Sequence, residues 1–364
     1  MECVLLSVRV VRLAICVFGL FLSLFSLPVQ AAGPDLSTLQ ATFERIIRSA
    51  RGELGVGLIH VETGARISIN GDQRFPMASV YKLPIAVELL AQVAQGKLTL
   101  DREVFVAPSD IRACCTLSRR HPRGGITLPV RELLELMMVE SDNTAADAVL
   151  KLVGGPPMVQ RRLRSLGYQN ISVDRYEGDI NFEMTGVENP PPQEEWTLDM
   201  QRRLVSEVNP HALTEARARY VKDPRDSATP EDMARFLATL QAGSLLPRTY
   251  TAMLLDLMLR ATTGPARLRG LLPPETPVAH KTGTTDVVIN DVGVITLPDD
   301  SAIPGHVALA VFATNGRLRP MQRTIAQLAG ATYEFFTGKP LPKPVKPKAP
   351  LRRRRGPARA SAGA

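Results

Sequence analysis

The strand-like stretches of this chain stand near its two ends. Leu54–Val61 and Arg66–Ile69 are β-rich and separated by Glu62-Thr63-Gly64-Ala65, a hairpin pattern, and strand character returns only at Asp286–Leu297 and His306–Ala313. Between them, from about Ser79 to Arg269, apolar residues recur at helical spacing, with Pro and Gly as punctuation. Strands so far apart in sequence bury their apolar faces by joining one sheet, so the chain has to close an antiparallel sheet from both ends around an inserted helical domain. Asp35–Ser49, with Leu36, Leu39, Phe43, Ile46 and Ile47 at helical spacing, and Met321–Phe336 supply a helix at each end to cover that sheet. The expected fold class is therefore α/β, of the α+β kind: a sheet drawn from about residues 35–75 and 270–337, flanked by N- and C-terminal helices, with an all-helical domain at about 76–269. Within the helical part, Phe182–Ser227 carries Asn189-Pro190-Pro191-Pro192 and Asp223-Pro224-Arg225-Asp226 around a mostly polar helical stretch, and reads as a surface insertion.

The segments on either side of residues 33–337 differ in character. Arg9 and Arg12 precede an apolar run from Leu13 to Leu27, followed by Val29-Gln30-Ala31-Ala32, which is the order of a secretory signal with cleavage near Ala31. The run is shorter than the roughly 20 residues a spanning helix needs. Residues 1–31 are thus expected to be removed and the protein to be periplasmic or secreted. The formal charge of +8 resides mostly at the other end, because residues 338–364 hold nine Lys or Arg and no acid. Such a Pro- and Arg-rich tail has too little apolar surface to fold. Plain solvation is the simplest expectation for it, weak contact with an anionic envelope the partner its charge suggests, and specific nucleic-acid binding is not expected. Of the four cysteines, only the adjacent pair Cys114-Cys115 would remain after cleavage, which makes no disulfide framework. The five histidines lack ligand-like spacing, so neither a metal nor another cofactor is expected.

Three short motifs carry chemistry. Ser79-Val80-Tyr81-Lys82 runs into the apolar stretch Leu83–Leu90; at 3.6 residues per turn, positions i and i+3 are neighbours, so Lys82 reaches the Ser79 hydroxyl. A buried lysine loses preference for its charged form and can accept a proton. Pro84, a turn inside, should distort the start of the helix. Ser141-Asp142-Asn143 breaks an apolar helical run, and its hydroxyl and amide can relay a proton and hold a substrate carbonyl, although taken alone the triplet reads better as an N-cap for Thr144–Leu150. Lys281-Thr282-Gly283-Thr284, placed just before a strand at Val287–Ile295, offers an ammonium and two hydroxyls to a carboxylate, with a glycine for close approach of a ligand; the alternative is an edge-strand turn.

With these motifs in this order, the chain resembles the penicillin-recognising serine enzymes, the superfamily of β-lactamases and penicillin-binding proteins, over roughly Asp35–Phe336. Arg175-Tyr176-Glu177-Gly178-Asp179-Ile180-Asn181 is similar to the class A loop R-x-E-x-x-L-N, with Ile180 in the leucine place, a swap that roughly conserves volume. The resemblance implies a β-lactamase/transpeptidase-like fold and a monomeric hydrolase of β-lactam amides. It makes Ser79 the nucleophile, Lys82 or Glu177 its base, Ser141 the proton donor to the leaving nitrogen, and Glu177 with Asn181 the holder of the deacylating water. Backbone N–H groups of Ser79 and Thr284 would face the oxyanion, and Asn143, Lys281, Thr282 and Thr284 would bind substrate. A guanidinium for the substrate carboxylate is implied as well. Thr285–Gly293 contains no arginine, and Arg267 stands where some members carry one upstream; the other reading of Arg267 is a salt-bridged surface arginine. Two alternatives share the motifs or the fold: a penicillin-binding D-alanyl-D-alanine peptidase, which normally lacks the glutamate loop, and a non-catalytic envelope-binding protein.

Overall fold

The computed structural model describes residues 34–342; the segment 1–31, expected to be a signal, and the tail beyond residue 342 lie outside the described residues. The strands are β1 (Glu53–His60), β2 (Arg66–Ile69), β3 (Phe75–Pro76), β4 (Glu103–Val106), β5 (Ile126–Pro129), β6 (Ser227–Ala228), β7 (Val278–Thr284), β8 (Ile289–Thr296) and β9 (His306–Thr314). Five of them form one antiparallel sheet in the order β2-β1-β9-β8-β7, while β3 pairs with β6 and β4 with β5. The two ends of the chain meet at the sheet centre, where β1 and β9 pair from Glu53 with Thr314 to His60 with Val307.

Helix α1 (Ser37–Ser49) precedes the sheet. Between β3 and β7 come α2 (Lys82–Ala94), α3 (Cys115–Arg120), α4 (Val130–Val139), α5 (Asn143–Leu152), α6 (Pro156–Ser165), α7 (Glu177–Thr185), α8 (Leu198–Glu207), α9 (Pro210–Lys222), α10 (Pro230–Gln241) and α11 (Arg248–Leu259). The last helix is α12 (Leu318–Thr337). Strand periodicity sorts the two faces of the sheet. Leu54, Val56 and Leu58 with Val307, Leu309 and Val311 join Leu39 and Phe43 of α1 and Ile325, Leu328 and Phe336 of α12 in one apolar cluster. On the other face, Ala308, Ala310 and Phe312 belong to the larger cluster built with the inserted helices. Gly57 faces that side, where a Cβ would collide with the Pro230 carbonyl oxygen, so the glycine lets the start of α10 lie directly on the sheet. No described helix is long and apolar enough to cross a membrane.

Two features add to the sequence expectations. Lys281-Thr282-Gly283-Thr284 precedes a strand as expected, β8, and also ends one that the sequence did not reveal, the edge strand β7, six of whose seven residues are buried. Because polar His280, Lys281 and Thr282 take buried places there, the strand shows no apolar alternation in its sequence. The second concerns the start of the tail. Gly338 ends α12 with φ 70°, Lys339 Nζ meets Asp300 at 2.6 Å, and the Leu341 N–H donates to Glu334 at 3.0 Å. A Cβ at Gly330 would stand 2.7 Å from Leu341 Cδ1, so a notch in α12 receives Leu341, which stands between Pro340 and Pro342.

Candidate active site

Ala78–Tyr81 form a single 3-10 turn that runs into α2, and Pro84 falls in the first turn of α2, where a missing N–H costs least. The turn brings Ser79 Oγ to 3.1 Å from Lys82 Nζ. Lys82 is fully buried, and its Nζ also lies 2.8 Å from the Ser141 carbonyl oxygen, 2.6 Å from Asn143 Oδ1 and 3.0 Å from Glu177 Oε1. Ser141 Oγ stands at 3.5 Å, so five oxygens surround a group that as an ammonium has three protons to donate.

The Ser141 triplet caps a helix and also presents side chains to the cleft. Asp142 caps α5, its Oδ1 accepting from the Ala145 N–H at 3.0 Å and its Oδ2 from the Leu117 N–H at 2.8 Å. Its neighbours face the cleft: Asn143 bonds Lys82, and Ser141 Oγ accepts from Lys281 Nζ at 2.7 Å. Burial first, and then the neighbouring Lys82 charge, push the Lys281 ammonium well below the ordinary lysine range. Ala78, Cys115 and Ser141, with φ of 45°, 75° and 61°, all line this one cleft; non-glycine residues adopt such angles at a cost that the surrounding structure has to sustain.

Strand β7 forms the opposite wall. Gly283 makes a close approach to the chain itself: a Cβ there would collide with the Met77 carbonyl oxygen, at the turn that carries Ser79. Asn290 of β8 holds the same turn, its amide donating to the carbonyl oxygens of Pro76 and Met77 at 2.8 and 3.0 Å. Nothing in the sequence marks this buried asparagine. Thr282 Oγ1 lies 2.7 Å from Thr263 Oγ1. Arg267 is neither on the surface nor paired to a carboxylate. It is 3% exposed and donates to Thr284 Oγ1 at 2.7 Å and to the carbonyl oxygens of Gly283 and Asn290 at 3.1 and 2.7 Å, so it stands behind the strand end and touches the cleft through Thr284.

Glu177 is the first residue of α7. Its N–H donates to Asp147 Oδ1 at 2.7 Å, and Asp147 Oδ2 pairs with Arg112 Nε at 2.5 Å, so a buried carboxylate from α5 fixes the start of the helix that carries Glu177. The 182–227 insertion folds as α8 and α9 over a small core of Phe182, Val187 and Trp196. It is more than a surface excursion, since Tyr220 of α9 reaches the cleft and Arg217 pairs with Asp286 on the β7–β8 turn. The cleft, of about 450 Å³, is lined by Ser79, Ser141, Asn143, Glu177, Asn181, Thr282 and Thr284, among others. Among the described residues, no three His, Cys, Asp or Glu side chains are grouped to hold a metal.

Residues 38–336 match the β-lactamase enzyme family. This chain belongs to that family. It is 31% identical to β-lactamase L2 of Stenotrophomonas maltophilia over 73% of this chain and 76% of that protein. It is 29% identical to the extended-spectrum β-lactamase PER-1 of Pseudomonas aeruginosa over 87% of this chain and 92% of that protein. Among solved structures, an ancestral class A β-lactamase superposes with a TM-score of 0.66 at 30% identity, covering 82% of this chain and all of that one. A β-lactamase from Chitinophaga pinensis gives 0.67 at 27%, covering 82% and 99%. The β-lactamase of this chain is thus of the class A serine type, with the β-lactamase/transpeptidase-like fold, and a hydrolase of the β-lactam amide.

Proposed function

We propose that this β-lactamase works through Ser79, Lys82, Ser141 and Glu177 in two steps. Ser79 Oγ gives its proton to Lys82 Nζ, or through a water to Glu177, and bonds to the lactam carbonyl carbon, with the oxyanion facing the backbone N–H groups of Ser79 and Thr284. The C–N bond breaks as Ser141 protonates the nitrogen and is reprotonated from the lysines that contact it. Glu177, helped by Asn181, then takes a proton from water, the hydroxide adds to the ester, and Ser79 leaves with a proton returned through Lys82. Asn143, Lys281, Thr282 and Thr284 orient the substrate, and Arg267 adds positive charge behind Thr284. The observation that carries this reading is the convergence of Ser79, Ser141, Asn143 and Glu177 oxygens on Lys82 Nζ, all within 3.1 Å. Contact of Glu177 with Lys82 also favours a lactamase over a D-alanyl-D-alanine peptidase, because it adds a base for deacylation.

The mature protein is read as a periplasmic or secreted monomer released from its signal near Ala31, its basic tail making at most weak contact with an anionic envelope. The charge order of residues 1–31 and the composition of 338–364 support this. Mass spectrometry after penicillin exposure tests the chemistry. Ser79→Ala should show no covalent adduct, whereas Glu177→Ala should accumulate one that the wild type clears, with hydrolysis slower by about 10²–10⁴. An adduct on Ser79→Ala would move the nucleophile elsewhere, and an adduct equally long-lived on wild type and Glu177→Ala would make the chain a penicillin-binding protein in practice.

A further inference from the structure

Cys114 and Cys115, which the sequence offered only as an unexplained pair, are joined to each other by a disulfide. A cross-link between adjacent residues closes no loop of the chain and so removes little entropy from the unfolded state, which is the usual way a disulfide stabilises. Its location points to another use. Both cysteines line the cleft beside Ser79 and Ser141, and Cys115 Sγ lies 3.8 Å from the Ser141 carbonyl oxygen, the same oxygen that accepts from Lys82. Cys115 has φ 75°, a conformation that favours glycine, and the ring closed by the two sulfurs holds it there. The turn is also tied to the residues flanking Ser141: the Thr116 hydroxyl bonds the Glu140 carboxylate, and the Leu117 N–H donates to Asp142 at 2.8 Å. Two polarisable sulfurs are thus carried on the cleft lining by a turn anchored at Glu140 and Asp142.

We propose that the Cys114–Cys115 disulfide is a specificity-determining wall that packs against the apolar acyl side chain of a bound β-lactam. Two-electron reduction by a dithiol, which leaves two thiols and converts the dithiol to its own disulfide, loosens that wall. This rests on the β-lactamase reading of the cleft.

The full-length protein is assayed as wild type, as dithiol-treated wild type and as the double variant Cys114→Ser, Cys115→Ser. The substrates are benzylpenicillin, which bears an aryl side chain, and 6-aminopenicillanic acid, which bears none. Thiol alkylation reports the redox state, and circular dichroism reports the fold. The expected result is a KM for benzylpenicillin raised about tenfold by reduction or by the double substitution, a change of about threefold or less for 6-aminopenicillanic acid, and no further effect of dithiol on the variant. Equal shifts for both substrates, or unchanged KM in wild type shown to be reduced and folded, overturn the proposal. Two free thiols in protein isolated without reductant overturn it as well. If the variant fails to fold, the reduced wild type decides. Adduct formation in the same samples separates this inference from its basis: wild type that acylates at a rate indifferent to reduction and side chain removes the role of the disulfide alone. Wild type that neither acylates nor hydrolyses overturns the reading of the cleft.

Discussion

Gly283 and Arg267 show how single residues on β7 and behind it govern the position of Ser79. A methyl group at Gly283 has to displace the Met77 carbonyl, and with it the turn holding the nucleophile. Gly283→Ala should therefore cost about 1–3 kcal/mol of stability, the range for overpacking a tight site. It should also lower kcat/KM far more than that loss of folded protein explains. Parallel urea titrations and initial rates check this, and normal kinetics at normal stability would show that the turn can move. Arg267 offers its charge through Thr284 while holding two backbone carbonyls. Burial pushes its guanidinium below the usual arginine range. Arg267→Ala should raise KM for penicillins with a smaller change in kcat, as expected of a contact worth about 2–5 kcal/mol when truncated in a buried setting. Unchanged KM would leave Lys281, Thr282 and Thr284 as the whole carboxylate site.

Helix α7 owes its register to α5. Asp147 accepts from the first N–H of α7 while pairing with Arg112, whose guanidinium also lies 5.0 Å over the Trp196 ring of the insertion. Burial raises the Asp147 carboxyl and Arg112 opposes that rise, so the carboxylate and its partner depend on each other. Asp147→Ala should cost about 3–5 kcal/mol, because it strands a buried guanidinium. It should slow deacylation more than acylation, since Glu177 loses its anchor while Ser79 and Lys82 keep theirs. Asp147→Asn, which retains an acceptor for the Glu177 N–H, should recover deacylation more fully than stability. Single-turnover mass spectrometry with denaturant melts separates the two effects, and equal slowing of both steps would exclude Asp147 as a positioning residue. The insertion is coupled to the same place, with Phe182 and Trp196 edge to face at 4.9 Å beneath α8 and Tyr220 on the cleft wall.

At the scale of the molecule, the chain is closed by its last helix, and the ordered contacts run past α12 to Leu341. Removing residues 343–364 should leave thermal stability and kcat/KM unchanged. Removing 338–364 should cost about 1 kcal/mol more, from half-buried Leu341 at ~25 cal/mol per Å² and the loss of the Lys339–Asp300 contact. Equal melting temperatures for the two truncations would show that these contacts contribute nothing. The hairpin at β1 and β2, the strands β8 and β9, the terminal helices and the identity of Ser79, Lys82, Ser141, Glu177 and Lys281 were all legible in the sequence. The elements are written in local terms as apolar periods, and Ser79 with Lys82 as a spacing along one helix, whereas Ser141, Glu177 and Lys281 were picked out by the resemblance of their motifs to a known family. Edge strand β7 was not legible, because its buried residues are polar and are satisfied by partners far away. The same holds for Asn290, Asp147 and Tyr220, whose importance lies in contacts with Met77, Glu177 and the cleft across long stretches of chain. Local periodicity determined which elements form, and the resemblance of short motifs to a known family pointed to the residues proposed to carry the chemistry. Only the tertiary structure decided their positions around Lys82, because burial and long-range hydrogen bonds, rather than neighbours in sequence, set where a side chain points and what it can exchange a proton with.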